Sequence, residues 1–211
     1  MNRFEIHWLI IALCAFMLAS CSGFKTQQTT LTEDQRREAR AQVPCIVAMP
    51  VVADVHDDDS MTYNTAAELE KGAQFMDYQL AEALKGRDNI RFLSQRQVTA
   101  LLPVDEAARS ALLTTIGAEL KCNAVLETTL SRYAQREGGE YGADVPASAT
   151  FSMKLYSTRD GSVIWSTTFR ETQESLFSNL LSAHKYGLRW LTVEELVTMG
   201  IEEKVEQSPY F

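Results

Sequence analysis

The sequence predicts an α/β (α+β-like) domain, a mixed sheet of about five strands with helices packed on it, in the order β-α-β-α-β-β-β-α. Three observations carry this. A short apolar, β-rich run, "CIVAMPVVAD", is followed by a long amphipathic helical stripe and a second short strand, as parallel β-α-β units require. Two runs of strict alternation flank Asp160-Gly161, the signature of a hairpin. The early units imply parallel neighbours joined by right-handed crossovers, and the late hairpin implies an antiparallel edge, so the sheet is mixed.

The elements follow in order. Residues 22–43 are polar, with no sustained apolar stripe, and read as a tether that can turn helical in "TEDQRREARAQ". At Pro44 the character changes and the first strand begins. After the polar loop "VHDDDSMTYN", Thr65 and Glu68 form a T-x-x-E capping box. Leu69, Ala73, Met76, Leu80 and Leu84 then mark one face of a long helix that stops near Gly86. "NIRFLS" is a second strand, and "QRQVTALL" a short helix ended by Pro103. A further helix starts at Asp105 or Glu106, with Ala108, Leu112, Ile116 and Leu120 stepping by four. The third strand runs from Ala124, and "REGGEYGADVP" is a turn-rich loop. Ala149, Phe151, Met153 and Leu155 alternate with polar residues, as do Val163, Trp165, Thr167 and Phe169 after the turn. The end of the chain reads as two helices, the last capped by Thr192 with Glu195.

The first residues give an address. The apolar run Trp8 to Leu18 is short for a bilayer span, which takes about 20 residues, and has the length of a secretory signal core. Leu18-Ala19-Ser20-Cys21 follows, and this resembles the lipobox of bacterial lipoproteins. In that family the cysteine thiol receives a diacylglycerol, cleavage falls just before it, and the new amino group is acylated. The resemblance makes residues 1–20 a signal peptide, Cys21 the lipid attachment site (diacylglycerol and palmitate) and 21–43 a lipidated tether. Several acyl chains hold a protein on a membrane where one would not, at about 0.8 kcal/mol per buried CH₂. Ser22 rather than Asp follows the cysteine, which in a Gram-negative host implies sorting to the outer membrane, facing the periplasm.

Composition narrows the rest. The formal charge is −8, and without a basic stripe the chain is not expected to bind nucleic acid. Cys14 leaves with the signal. Cys45 and Cys122 remain in an oxidising compartment, each opening a strand expected to run parallel to the other. A bridge between them would close a loop worth on the order of 4.5 kcal/mol in the chain-entropy model. Two buried thiols are the alternative.

The segments "CIVAMPVV", "IGAELKCNAVLETTLSRYAQREG" and "SATFSMKLYSTRDGSVIWSTTF" together resemble a group of periplasmic lipoproteins. That group includes the curli-secretion lipoprotein family, penicillin-binding-protein activator lipoproteins and the amino-terminal domain of the Tol-system β-propeller protein. Gly117, Leu120, Ala124, Val125, Leu126, Tyr133, Asp160, Gly161 and Trp165 carry the match. It covers residues 44–171, the mixed α/β domain, and leaves 172–211 as a helical segment packed on or extending it. The shared positions are packing and turn residues, so the resemblance implies a fold rather than an activity. The curli channel builds a barrel from long inserted hairpins, whereas the loop Arg136 to Pro146 here is short and polar.

Catalytic signals are sparse. His56-Asp57-Asp58-Asp59 follows the first strand, where α/β proteins bind ligands, but consecutive acids point different ways and read as a solvated loop. Gly138-Gly139-Glu140-Tyr141-Gly142 lacks a phosphate-loop pattern. His184 reads as a cation near a helix end. No catalytic residue, metal or cofactor is expected. Phe177, Leu180, Leu181 and Trp190 either pack on the sheet or dock a partner. The expectation is a non-enzymatic, membrane-anchored module that binds envelope proteins in envelope assembly or secretion, of open oligomeric state. The alternatives are an oligomeric secretion-channel subunit, or an enzyme with a metal-assisted site at Asp57–Asp59.

Overall fold

The computed structural model describes residues 31–55, 63–101, 109–173 and 189–211. Helix α1 (Glu33–Gln42) is capped by Thr32 and Gln35 in a reciprocal capping box. It is followed by β1 (Ile46–Ala48), β2 (Val52–Ala53), α2 (Tyr63–Ala83), β3 (Ile90–Phe92), α3 (Gln95–Leu101) and α4 (Arg109–Leu120). Then come β4 (Ala124–Ala134), β5 (Glu137–Gly138), β6 (Ala143–Val145), β7 (Ser148–Ser157), β8 (Val163–Thr172) and α5 (Val193–Gln207).

The main sheet has the order β3-β1-β4-β7-β8. β3, β1 and β4 are parallel, with Ile46 opposite both Ile90 and Ala124. β7 runs antiparallel to β4 and to β8. The mixed sheet expected from the sequence is therefore present. The first strand is divided: Pro50 has no N–H to give a ladder, and β2 resumes the pairing with β4 at Val52↔Thr129. The loop after β4 carries the small β5–β6 ribbon, which alternation does not reveal.

One face of the sheet holds the larger core. Leu69, Ala73, Met76 and Leu80 of α2 and Leu84 just beyond it, the whole predicted stripe, are all at most 5% exposed there. Thr65 is not the cap of this helix but lies inside it, because the helix already includes Tyr63. Helix α5 covers the β7–β8 end of the same face through Leu196, Val197, Ile201 and Val205. Phe151 and Phe169 stack at 5.0 Å, and Trp165 meets the buried ring of Phe211 edge-on at 5.5 Å. The other face carries a smaller core of Val47, Val125 and Tyr156 under Leu113 and Ile116 of α4. A step of four drifts by about 40° around a helix. Accordingly Leu113 joins the buried face, while Leu112 and Leu120 are only half-buried. Beyond α4 that face is polar, with Thr129, Ser152 and Thr168 in one row. Val163, expected to alternate inward, is 53% exposed because the β7–β8 register shifts at Leu155/Tyr156.

Polar groups lock the termini of α5. Thr192 and Glu195 form the predicted capping box. Arg189 grips Glu195 through two bonds of 3.1 and 2.7 Å, which holds that carboxyl below the ordinary range. Gln135 donates to Glu194 and accepts from the Val193 N–H. At the other end, Arg36 donates to the carbonyls of Ser208 and Glu206, and Arg40 to Phe211. These guanidinium groups complement the helix C-terminus. Helix α1, within the stretch read as a tether, is thus bonded to the last turn of the domain.

Two close approaches set how the helices seat. A Cβ on Gly200 would lie 2.9 Å from three Phe169 ring atoms. A Cβ on Gly72 would lie 2.6 Å from the Tyr133 ring. Gly200→Val is expected to destabilise the domain by about 1–3 kcal/mol, because the stacked Phe169 cannot retreat, read as a lower urea midpoint with an unchanged slope. Cys45 and Cys122 stand at the starts of β1 and β4 and are joined through their sulfurs, with Cα atoms 4.7 Å apart. Reduction, or Cys45→Ser with Cys122→Ser, is expected to cost on the order of 4.5 kcal/mol. Non-reducing and reducing urea melts of the same preparation measure it.

Candidate functional site: a cleft at the ends of the parallel strands

The chain leaves β1 for α2, which packs on the large-core face, and leaves β3 for α3 and α4, of which α4 packs on the other face. Adjacent parallel strands whose connections depart to opposite faces leave a crevice beyond their carboxyl ends, where open α/β sheets bind ligands. A cleft of about 910 Å³ lies at that place. Met49, Pro50 and Val51 after β1 form one side, Phe92 and Leu93 with Gln95 and Gln97 another, and α2 the third.

Each wall has a local cause. Pro50 interrupts the first strand and turns the backbone outward, which leaves the Val51 N–H without a strand partner. Asp77 supplies one: its Oδ1 accepts from the Val51 N–H at 2.7 Å. Phe92 lies in register with Ala48 on the floor of the cleft and is 45% exposed. Ala73 and Ala81 keep the α2 wall low.

The lining is mixed, with more apolar than polar side chains. Among the described residues its ionisable groups are Glu70 and Asp77, both acids, and no Lys, Arg or His lines it. Burial pushes the Asp77 carboxyl above its ordinary range, and the Val51 bond offsets this only in part. Glu70 and Asp77 are seven residues apart on one helix, about 10 Å along its axis, too far to share a proton.

Several sequence-predicted positions lie outside the described residues: Cys21, His56 to Asp59, Phe177, Leu180, Leu181 and His184. Trp190 is described; it is half-buried, and its backbone N–H donates to the Glu140 carbonyl at 2.7 Å. The neighbouring Gln173 is buried, donating to the Arg189 carbonyl and accepting from the Leu191 N–H, so residues 173 and 189–191 are held together. Among the described residues no group of three or more His, Cys, Asp or Glu is placed to hold a metal ion. No described helix is long and apolar enough to cross a membrane.

No family model matches the chain, and no curated protein matches it. Similar solved structures include the PelC dodecamer from Paraburkholderia phytofirmans, 11% identical over 77% of this chain and 85% of that one, with a TM-score of 0.42. The LpoB C-terminal domain from Escherichia coli is 15% identical over 66% of this chain and 96% of its own, at 0.33. A lipoprotein from Neisseria meningitidis is 17% identical over 67% and 93%, at 0.34. At these values the likenesses assign neither a family nor an activity to this chain.

Asp77 gives the site a measurable signature. Its carboxyl holds a proton more tightly in the folded than in the unfolded state. Its contribution to stability therefore falls as pH rises through the window just above the ordinary carboxylate range, and is unfavourable at neutral pH. Asp77→Asn keeps an acceptor for Val51 and removes the charge. It is expected to melt above the wild type at neutral pH, with the gap closing in acid, as followed by thermal unfolding across that range.

Proposed function

We propose that this chain is a lipid-anchored periplasmic protein of the outer membrane that acts as a non-enzymatic protein-binding module in envelope assembly or secretion. The observation that carries the reading is Leu18-Ala19-Ser20-Cys21 at the end of a short apolar core. The domain adds to it. An open cleft whose described lining is more apolar than polar suits the binding of a partner. The mechanism is positional. From Cys21 to Thr32 the chain reaches at most about 40 Å, so the lipid confines the domain to a thin shell beside the membrane and raises its effective concentration for partners there.

The test is the mass of the mature amino-terminal peptide after expression of the whole precursor in a Gram-negative host. The expected result is an acylated fragment beginning at Cys21, absent from Cys21→Ser, with the protein in the outer-membrane fraction. An unmodified amino terminus at another residue would remove the anchor and the location together.

A further inference from the structure

The cleft and the sheet edge beside it are continuous. β3 is the outermost strand of the sheet. Its ladder with β1 uses the Asn89 carbonyl and the Leu93 N–H, which bond to Ile46 and Ala48. In a parallel pair the bonding groups alternate along the strand, so the Phe92 N–H and C=O point away from β1. Among the described residues no strand pairs with that edge. Among the described residues Phe92 therefore offers an unpaired backbone donor and acceptor on the edge, and its ring is exposed in the cleft.

The charge of the cleft specifies what fits it. Among the described residues Glu70 and Asp77 are its ionisable groups, and the rest of its lining is Ala, Met, Pro, Val, Leu and Phe with the amide and hydroxyl groups of Gln74, Ser94, Gln95 and Gln97. Asp77 commits Oδ1 to Val51. Its other oxygen remains for a ligand, in a half-buried setting where a charge-assisted bond is stronger than in water. An anionic occupant would meet two like charges, and a purely apolar one would leave the Asp77 charge buried against it.

We propose that this cleft docks an extended segment of a partner protein, which adds beside β3 and places a Lys or Arg side chain between α2 and the β1–β2 link, against Asp77. This rests on the protein-binding reading above and names its surface. The recognition is β-augmentation with one specificity pocket: backbone bonds at Phe92 give affinity, and the acidic, apolar cleft chooses the side chain.

The experiment is a selection of random twelve-residue peptides displayed on phage against the full chain in detergent, repeated on Asp77→Asn and Phe92→Ser. Both variants are first shown to be folded by their thermal transitions. The expected result is enrichment of peptides with Lys or Arg flanked by apolar residues. Their affinity is expected to fall by about tenfold or more in Asp77→Asn and also in Phe92→Ser. Selected peptides without a basic residue, binding unchanged in Asp77→Asn, or no selected peptide at all would each overturn the proposal. A chain that is acylated at Cys21 and captures a folded partner under any of those outcomes keeps its general function and loses this site.

Discussion

The architecture depends on the pairing of β1 between two parallel neighbours. Ile46, Val47 and Ala48 are all at most 1% exposed, and each faces a residue of β3 on one side and of β4 on the other. A parallel pair needs a long crossover, and here α2 and α4 end on opposite faces of the sheet. Ile46 and Ala48 feed one core and Val47 the other, so three residues connect both layers. The register that sets Ile46 beside Ala124 also brings Cys45 to Cys122. It opens the crevice beyond Ala48 and Phe92 as well. The cross-link and the cleft thus mark the two ends of one short strand.

The second layer depends on contact between a helix and rings. Helix α5 approaches the sheet at Gly200, over Phe169, which is itself stacked on Phe151. Its start is held by a shared polar cluster. Tyr133 is pushed upward by burial, then by the charge of Glu194 and a hydrogen bond to it. Burial works against the Glu194 charge, yet bonds from its own backbone N–H, Gln135, Thr192 and Tyr133 outweigh that and hold its carboxyl below the ordinary range. Tyr133 is also the ring beneath Gly72 of α2. One side chain at the end of β4 therefore positions both helices of the large core. Trp165 of β8 packs on Phe211.

Much of this is legible in the sequence because it is periodic. The stripe from Leu69 to Leu84 and the alternation from Ala149 to Leu155 follow from geometry that repeats within a few residues, and all nine positions are buried. The cap of α5 is local in the same sense. What escapes periodicity depends on distant partners. Asp77 reads as an ordinary polar residue at the margin of a helical stripe; only the break at Pro50 gives it the Val51 N–H. Phe92 belongs to a strand of three residues, too short to show which face is covered. Phe211 is a lone aromatic at the end of the chain, and only the folded sheet places Trp165 against it. The carboxyl end of the first strand is recognisable as a ligand-binding position, but the acids that draw attention there are His56's neighbours Asp57 to Asp59. Those acids lie outside the described residues, and the described cleft holds Glu70 and Asp77, about two and four helical turns inside α2.

Docking at the cleft, as proposed, and docking across the polar face that carries Thr129, Ser152 and Thr168 make opposite predictions for where a partner touches the domain. Photo-crosslinking in the native cell separates them most directly, with a photoreactive residue at Phe92 in one strain and at Lys154, on the exposed face of β7, in another. The account predicts a discrete crosslinked product from position 92 and none from position 154. Crosslinks from position 154 with none from position 92 would contradict it.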